Sequence, residues 1–591
     1  IGSDEFWKSE TDLELYANGF IQKMIPGDGT TTRGDIYADY CAVDIPTDLL
    51  RPDGNVSPDN QTGWAESNWT NLRRVNYMLD NMHKCKGRVS DEIYNHYEGV
   101  ARFWRAWFYY DKVQTFGAVP WYDFTIAASD KEAMMKPRDS REYVMDKVLE
   151  DLTFASTYCL SDAKFTKGSA LINKWVALAF KSRVCLYEGT FRKYHSREPS
   201  SDKPWQAEYN ADNKFLREAA AAAKEIMDKG PYSLVTGDVK TAYRSLFTSA
   251  GLLTQEVIFG REYSKELSAF HETSWYYYSP TYGAKIAMTK KFMNTYLTTR
   301  GTPFTDIDGY QTIDFIREFD GRDARMAQTV ISPTYKMKIS GRERLYSPNW
   351  KVTRTGYHPI KWSIDDDADN VLSKAASWNS LPIIRYAEVL LNYAEAKAEL
   401  GTLTQNDLAI TVNEIRSRVG MRGLDMNEAN KNIDWYLESK EYGYPNVTGA
   451  NKGVILEIRR ERTVELIQEG FRLQDLYRWK AGYCIDQAIS GMYFPGPGEY
   501  KLAGKETADL ILYKAGETKP QAGEGVSVYE LGSDIILSEG DKGYVFYHKT
   551  VENQRPGFNE ERDYLYPIPS GERSLNPNLT QNPGWSDGLD F

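Results

Sequence analysis

The 591 residues carry 72 Lys and Arg against 83 Asp and Glu, a formal charge of −11, with no Lys/Arg-dense run. That balance excludes the electrostatic footprint of a nucleic-acid binder and makes an anionic polymer a poor ligand. The length exceeds what one core supports, so two or more subdomains or a repeat array are expected.

Aromatic residues make up 13% of the chain, with 15 Trp and 41 Tyr. Such rings combine a flat apolar face with a polar tip and suit amphipathic ligands; the plainer alternative is a Tyr-rich core and surface. Cys41, Cys85, Cys159, Cys185 and Cys484 are odd in number and scattered, so they define neither a zinc site nor a disulfide framework. The six histidines form no His-Glu-x-x-His, and no phosphate loop, dinucleotide fingerprint or Gly-x-Ser-x-Gly occurs, so neither cofactor nor catalytic metal is expected. No apolar run approaches the ~18 residues of a membrane span. The chain begins at Ile1 without an initiator Met, and a targeting segment is expected to have preceded it.

Residues 6–24 read as a first helix, opened near Ser9 and closed by Pro26-Gly27. Residues 33–63, with Pro46, Pro52, Pro58 and Gly54, lack helical periodicity and read as a long loop, functional or disordered, bearing Asp44 and Arg51. Helices are predicted at 69–82, 91–115, 140–160, 169–189 and 213–229, in antiparallel pairs recurring roughly every 35 to 45 residues, the pattern of a helical-repeat scaffold. Residues 243–378, rich in Trp, Tyr, Thr, Pro and Gly with one helix at 289–299, read as a variable cap. Residues 381–401 give the clearest helix, with Ala387, Ala394 and Ala398 small enough for a close neighbour. Residues 405–419 are its partner in a tetratricopeptide-like hairpin.

Farther on, Glu457, Glu461, Glu465 and Glu469 stand four apart, one helical stripe of like charge. Each neighbouring pair costs a few tenths of a kcal/mol unless neutralised. Arg459, Arg460 and Arg462 lie in the same turns; Arg472 and Arg478 follow Gly470, a residue suited to a left-handed corner. The segment reads as helix, corner and short helix at a packed ionic seam. A catalytic role is set aside, because acid–base work needs carboxylates with separated pKa values facing a cavity. Residues 508–513, 526–531 and 543–547 read as short strands, and the proline-rich tail as an extended strap. The expected class is therefore mainly α: a tetratricopeptide-like scaffold with a loop-rich cap and a few short strands.

The run Glu461-Arg-Thr-Val-Glu-Leu-Ile-Gln-Glu-Gly-Phe-Arg-Leu-Gln-Asp-Leu-Tyr-Arg-Trp479 resembles the signature of the SusD/RagB family, surface nutrient-binding lipoproteins of Bacteroidetes. Asn71-Leu-Arg-Arg-Val-Asn76, residues 98–120, residues 381–401, and Tyr566-Pro-Ile-Pro569 with Gln581-Asn-Pro-Gly584 match in the same order, so the resemblance spans nearly the whole chain. It implies four tetratricopeptide-like pairs, in an N-terminal region (1–235) and a C-terminal one (236–591). It also implies tethering to the outer face of the outer membrane through a lipidated N-terminal Cys, which this sequence does not contain. The partner it implies is a SusC-like TonB-dependent transporter, to which the protein would pass glycans.

A pyranose has an apolar C–H face and a hydroxyl edge, so its binder needs exposed flat rings beside a few polar groups. Two stretches offer this. Trp64-Ala-Glu-Ser-Asn-Trp69, including Asn68, follows the loop of Asp44 and Arg51; the alternative is that Trp69 staples the next helix while Trp64 closes the loop. Trp275, Tyr276, Tyr277 and Tyr278, followed by Tyr282, form the densest aromatic run. If extended, it turns alternate rings to opposite sides. Trp350 and Trp378 are further candidates. Asp365, Asp367 and Asp369 alternate like calcium ligands but lack the Gly and terminal Glu of the helix-loop-helix motif, and read as a solvated loop. The expected function is non-catalytic glycan binding at the cell surface. The alternatives are a peptide-binding repeat module and a helical glycoside hydrolase, which needs two carboxylates roughly 5 to 10 Å apart beside the rings.

Overall fold

The computed structural model describes residues 6–43, 56–370, 374–546 and 557–589. Its frame is a succession of helices, Glu10–Met24, Glu66–Asn81, Asp91–Phe116, Arg141–Tyr158, Lys174–Tyr194 and Lys214–Lys229, joined later by Tyr386–Glu399 and Lys452–Leu466. The first three pack together, and from Asp91–Phe116 to Lys214–Lys229 each helix packs against the next. Tyr386–Glu399 then lies across the Lys174–Tyr194 and Lys214–Lys229 pair and touches Lys452–Leu466. The fold is mainly α with tetratricopeptide-like pairs, as expected.

Local chemistry explains where these helices start and how closely they pack. Ser90, Ser140 and Asn173 accept backbone N–H groups of the first turn, leaving fewer orphan donors. A Cβ on Gly99 would fall 2.8 Å from Cys159 Sγ, and one on Gly189 would fall 2.7 Å from the Leu216 side chain. Helices touch at both points because glycine leaves the space.

Four predicted elements change, the first being the 169–189 helix, which runs from Lys174 to Tyr194. The 381–401 helix begins only at Tyr386; Leu381–Arg385 is a strand antiparallel to Val257–Arg261. Its Pro-Ile-Ile centre suits an edge strand, and Ile384 enters the main core. The 405–419 helix breaks into Gln405–Ala409 and Val412–Arg418, and the 289–299 helix shrinks to Lys290–Thr295. Near the C terminus, Leu510–Tyr513 pairs with Gly498–Tyr500 and Ser527–Glu530, and Gly543–Phe546 with Ser490–Phe494.

The predicted order of helix, corner and short helix holds, in Lys452–Leu466 and Arg472–Arg478. The helix ends at Leu466, however, and the chain turns left-handed at Gln468 (φ +62°) as well as Gly470 (φ +85°), so Glu469 stands beyond the helical stripe of Glu457, Glu461 and Glu465. The neutralising partners of these carboxylates come mostly from elsewhere. Glu465 binds Arg385 (2.7 Å), Arg325 (2.9 Å) and Arg418. Glu461 binds Arg325 (2.7 Å) and Arg416 (2.9 Å), and Glu469 binds Arg385 (2.8 Å) and Lys361 (3.4 Å). Of the three arginines within the helix, Arg460 reaches Glu457 at 3.0 Å, whereas Arg462 turns to Asp475 at 2.8 Å. Arg459 is buried among Trp479, Tyr194 and Tyr444, 4.4, 4.8 and 4.9 Å from their ring centres.

The segment after Asp28–Arg33 crosses this corner. A Cβ on Gly34 would sit 2.9 Å from Gly470 Cα, and Asp35 accepts the Arg472 backbone N–H at 2.9 Å. Burial pushes the Asp35 carboxyl up to about 6, outweighing the backbone N–H groups that favour its charge. A folded value above the unfolded one contributes stability that is full below the ordinary 3.8 and is lost as pH rises through about 6. Asp35→Asn cannot ionise. Urea titrations are therefore expected to show the difference between wild type and variant moving in the variant's favour across that interval.

Candidate functional site

The aromatic run is helical, Thr273–Tyr278, rather than extended. Ser274, Tyr277 and Tyr278 stand at i, i+3 and i+4 and so share the inward face, which corrects the alternating pattern. Thr273 Oγ1 meets Thr32 Oγ1 at 2.9 Å, and the Ile364 backbone N–H donates to Ser274 at 3.1 Å. Tyr277 donates to the Thr32 carbonyl (2.7 Å) and accepts from Gln468 of the corner (3.2 Å), while the Tyr278 and Tyr335 hydroxyls lie 3.0 Å apart. Tyr277 and Tyr278 are fully used in holding the helix down, and burial drives both phenols well above the ordinary range.

The outward face carries Trp275 and Tyr276, half-buried, with Tyr282 folded back beside them and 72% exposed. The Trp275 and Tyr282 rings are near-parallel, 5.8 Å apart at 20°, and Tyr276 stands edge-on to Trp275. Ser279 fixes Tyr282 by accepting its backbone N–H at 3.1 Å. Arg33 lies 4.0 Å over the Tyr276 ring and pairs with Asp28 at 3.1 Å; Lys374 lies 5.6 Å over Trp275 and pairs with Glu272 at 3.4 Å. These four charged residues were not singled out in the sequence, because nothing in their spacing distinguishes them from ordinary surface charge. The assembly is an aromatic platform of three rings, with Arg33 over Tyr276, Lys374 over Trp275 and Tyr282 left open, attached through Tyr277 and Thr32 to the ionic corner.

The other sequence candidates are placed differently. Trp64 is 6% exposed and packed against Phe116 and Trp69, so little of its ring is open. Trp69 is half-buried within Glu66–Asn81 and donates its indole N–H to the Trp64 carbonyl at 2.9 Å. Both lie along a groove of about 870 Å³ shared with Tyr122, Phe124, Met134 and Leu575. Asn68 is exposed on the same helix; Asp44 and Arg51 lie outside the described residues. Among the described residues no ring contact joins Trp64 or Trp69 to the Trp275 platform.

Trp350 is also corrected. It is 8% exposed, tilted against Phe494 and pressed on Gly356. A Cβ at Gly356, φ +91°, would meet Met492 Sδ at 2.1 Å and the Trp350 ring at 2.8 Å. Gly356→Ala is expected to cost about 1–3 kcal/mol through overpacking, read as a lowered denaturant midpoint. Trp378 is half-buried, its indole donating to Asp369 at 2.9 Å. The acidic run is tied up by the protein: Asp365 pairs with Arg244 at 2.6 Å, Asp366 with Lys338 at 3.3 Å and Asp369 with Lys265 at 3.0 Å, while Asp367 accepts the Ser340 backbone N–H at 3.1 Å.

A sequence profile of the SusD family matches residues 255–585, more than half of the chain. The chain belongs to the SusD family. A second profile, described as starch-binding associating with outer membrane, matches residues 39–186. SusD-like protein P2 of Formosa agariphila is 24% identical over 607 residues, covering 99% of this chain and 94% of its own. A SusD-like protein from Bacteroides fragilis superposes with a TM-score of 0.68 at 21% identity, over 99% of both chains. A SusD-like carbohydrate binding protein from the same species gives 0.66 at 21%, over 97% of this chain and 100% of that one. At these identities the likeness establishes the SusD fold; the chemistry of the site rests on the residues above.

Proposed function

We propose that this SusD-family chain binds glycans without altering them, at the outer face of the outer membrane, and passes them to a SusC-like TonB-dependent transporter. The observation that carries the reading is the near-parallel pair of Tyr282, largely open, and Trp275, which stands on a helix whose other face is bonded to the frame. A rigid flat surface desolvates the C–H face of a pyranose at small entropic cost, and Arg33, Lys374, Glu272 and Asp28 stand where ring hydroxyls need partners.

The carboxylates beside the rings are each paired with a cation, an arrangement suited to hydrogen bonding rather than to an acid and a base with separated pKa values. The solved carbohydrate-binding relative and the profile that names starch binding support the ligand class. Transporter delivery and the lipid anchor rest on family resemblance. The three rings of the platform lie within residues 243–378, the stretch we take to be a variable cap that sets which sugar is bound. A glycan array followed by calorimetry tests the reading: saccharides are expected to bind and emerge unhydrolysed. Binding of peptides alone, or release of shorter sugars, would replace it with one of its two alternatives.

A further inference from the structure

A second group of rings lies where three other segments meet: the short helix Trp435–Glu438 with the turn that follows, the loop holding Tyr310–Thr312, and the strand pair Ser490–Phe494 and Gly543–Phe546. Trp435 is 46% exposed and stands edge-on to Tyr436 at 5.6 Å and to Tyr442 at 6.4 Å. Tyr436 and Tyr442 stack at 4.5 Å and 7°. Across the loop, Tyr544 donates to the Gln311 carbonyl at 2.7 Å and packs against Tyr493 at 5.6 Å. Tyr310 lies beneath, within electrostatic range of the Tyr442 and Tyr544 hydroxyls.

This group is fixed from below. Asp434 caps the Tyr436 backbone N–H at 2.8 Å and is ion-paired to Arg460 of the Lys452–Leu466 helix; the Tyr436 hydroxyl donates to the Lys291 carbonyl at 3.3 Å. Trp435 is therefore held out on a rigid support, as Trp275 is. Half-open rings collected on one surface are not what folding alone leaves behind. Exposed Glu441 lies beside the Tyr442 hydroxyl and offers an acceptor to sugar hydroxyls, and the chain's net charge of −11 disfavours an anionic ligand.

We propose that Trp435, Tyr442, Tyr493 and Tyr544 form a second carbohydrate-binding surface, which takes a neutral pyranose chain independently of the Trp275 platform. The proposal rests on the glycan-binding reading above, and among the described residues no ring contact, hydrogen bond or ion pair joins the two sets. A long polysaccharide can then hold the protein at two places, and linkage raises its apparent affinity without any new contact.

The test uses the full chain with neutral glucans, xylans and mannans and their hexasaccharides. Trp275→Ala/Tyr282→Ala is expected to retain hexasaccharide binding at one site, and adding Trp435→Ala/Tyr442→Ala to abolish it. On the polysaccharide, Trp435→Ala/Tyr442→Ala alone is expected to weaken binding roughly ten-fold or more, and Trp435→Phe, which keeps a ring, to restore most of it. If the double variant does not fold, Trp435→Ala alone, which removes a half-exposed ring, makes the same comparison. Undiminished polysaccharide binding by a folded Trp435 variant overturns the second surface and leaves the platform standing. A wild-type chain that binds no neutral glycan overturns both.

Discussion

Glu465→Leu is expected to destabilise the protein by about 3–5 kcal/mol, the cost of leaving buried charge without its counter-ion. Glu465 is sealed from solvent and is shared by Arg325, Arg385 at the end of the Leu381–Arg385 strand, and Arg418 from the Val412–Arg418 helix. One carboxylate thus joins three distant segments to the corner helix. Its loss takes one counter-ion from each of three sealed guanidiniums: Arg325 keeps Asp323 and Glu461, Arg385 keeps Glu256 and Glu469, and Arg418 keeps Glu256. Urea unfolding measures the effect, with the exposed pair Arg422–Glu428 as control: Glu428→Gln is expected to stay within about 1 kcal/mol. The same site sets an acid limit. Burial would raise the Glu465 carboxyl, but the charges of Arg418, Arg385 and Arg325 outweigh it and hold it well below the carboxylate range. A depressed folded value means its stabilisation is full above the unfolded value and is lost only as pH falls toward the folded one. Wild type should therefore lose stability toward strong acid along a slope that Glu465→Leu lacks.

The frame was legible because helices of this kind advertise themselves. Ser90, Ser140 and the apolar periodicity behind them set starts within a residue or two of those observed, and Gly470 marked the corner. Leu381–Arg385 reads as helix because apolar residues resume at Tyr386 directly after Arg385; Pro382 and the two isoleucines are the available strand signal. For the stripe, its structural role followed from local charge, but its partners did not. Arg325, Arg385, Arg416 and Arg418 are remote in sequence, and no spacing rule pairs them with Glu461 or Glu465. The aromatic stretch was found by composition alone. Which of its rings face outward depended on a short helix fixed by Thr32, Gln468 and Ser377, contacts that only the tertiary fold supplies. Trp64 and Trp350 show the converse: a Trp in a polar-looking loop can still be core when Phe116 or Gly356 provides its seat.

Removing both rings of the stacked pair, in Trp275→Ala/Tyr282→Ala, is expected to weaken binding of a short oligosaccharide at that site by about 30-fold, near 2 kcal/mol, while the urea midpoint hardly moves. The two effects separate because the helix is held from its other face. Thr273, Ser274, Tyr277 and Tyr278 keep their hydrogen bonds when Trp275 is cut back, and Tyr282, 72% exposed, contributes little to the core. Tyr277→Phe supplies the reverse case. It leaves every outward ring in place but removes the hydroxyl that donates to Thr32 and accepts from Gln468, so stability should fall by roughly 1 kcal/mol and binding should fall only as far as the helix loosens. Arg33→Ala lies between them, since it strips the cation from the Tyr276 face and a donor from the rim while leaving the rings. A smaller loss of affinity, varying with the hydroxyl pattern of the sugar, is the expected signature of a group that reads orientation. A uniform loss across all sugars would instead mark Arg33 as a support for Tyr276.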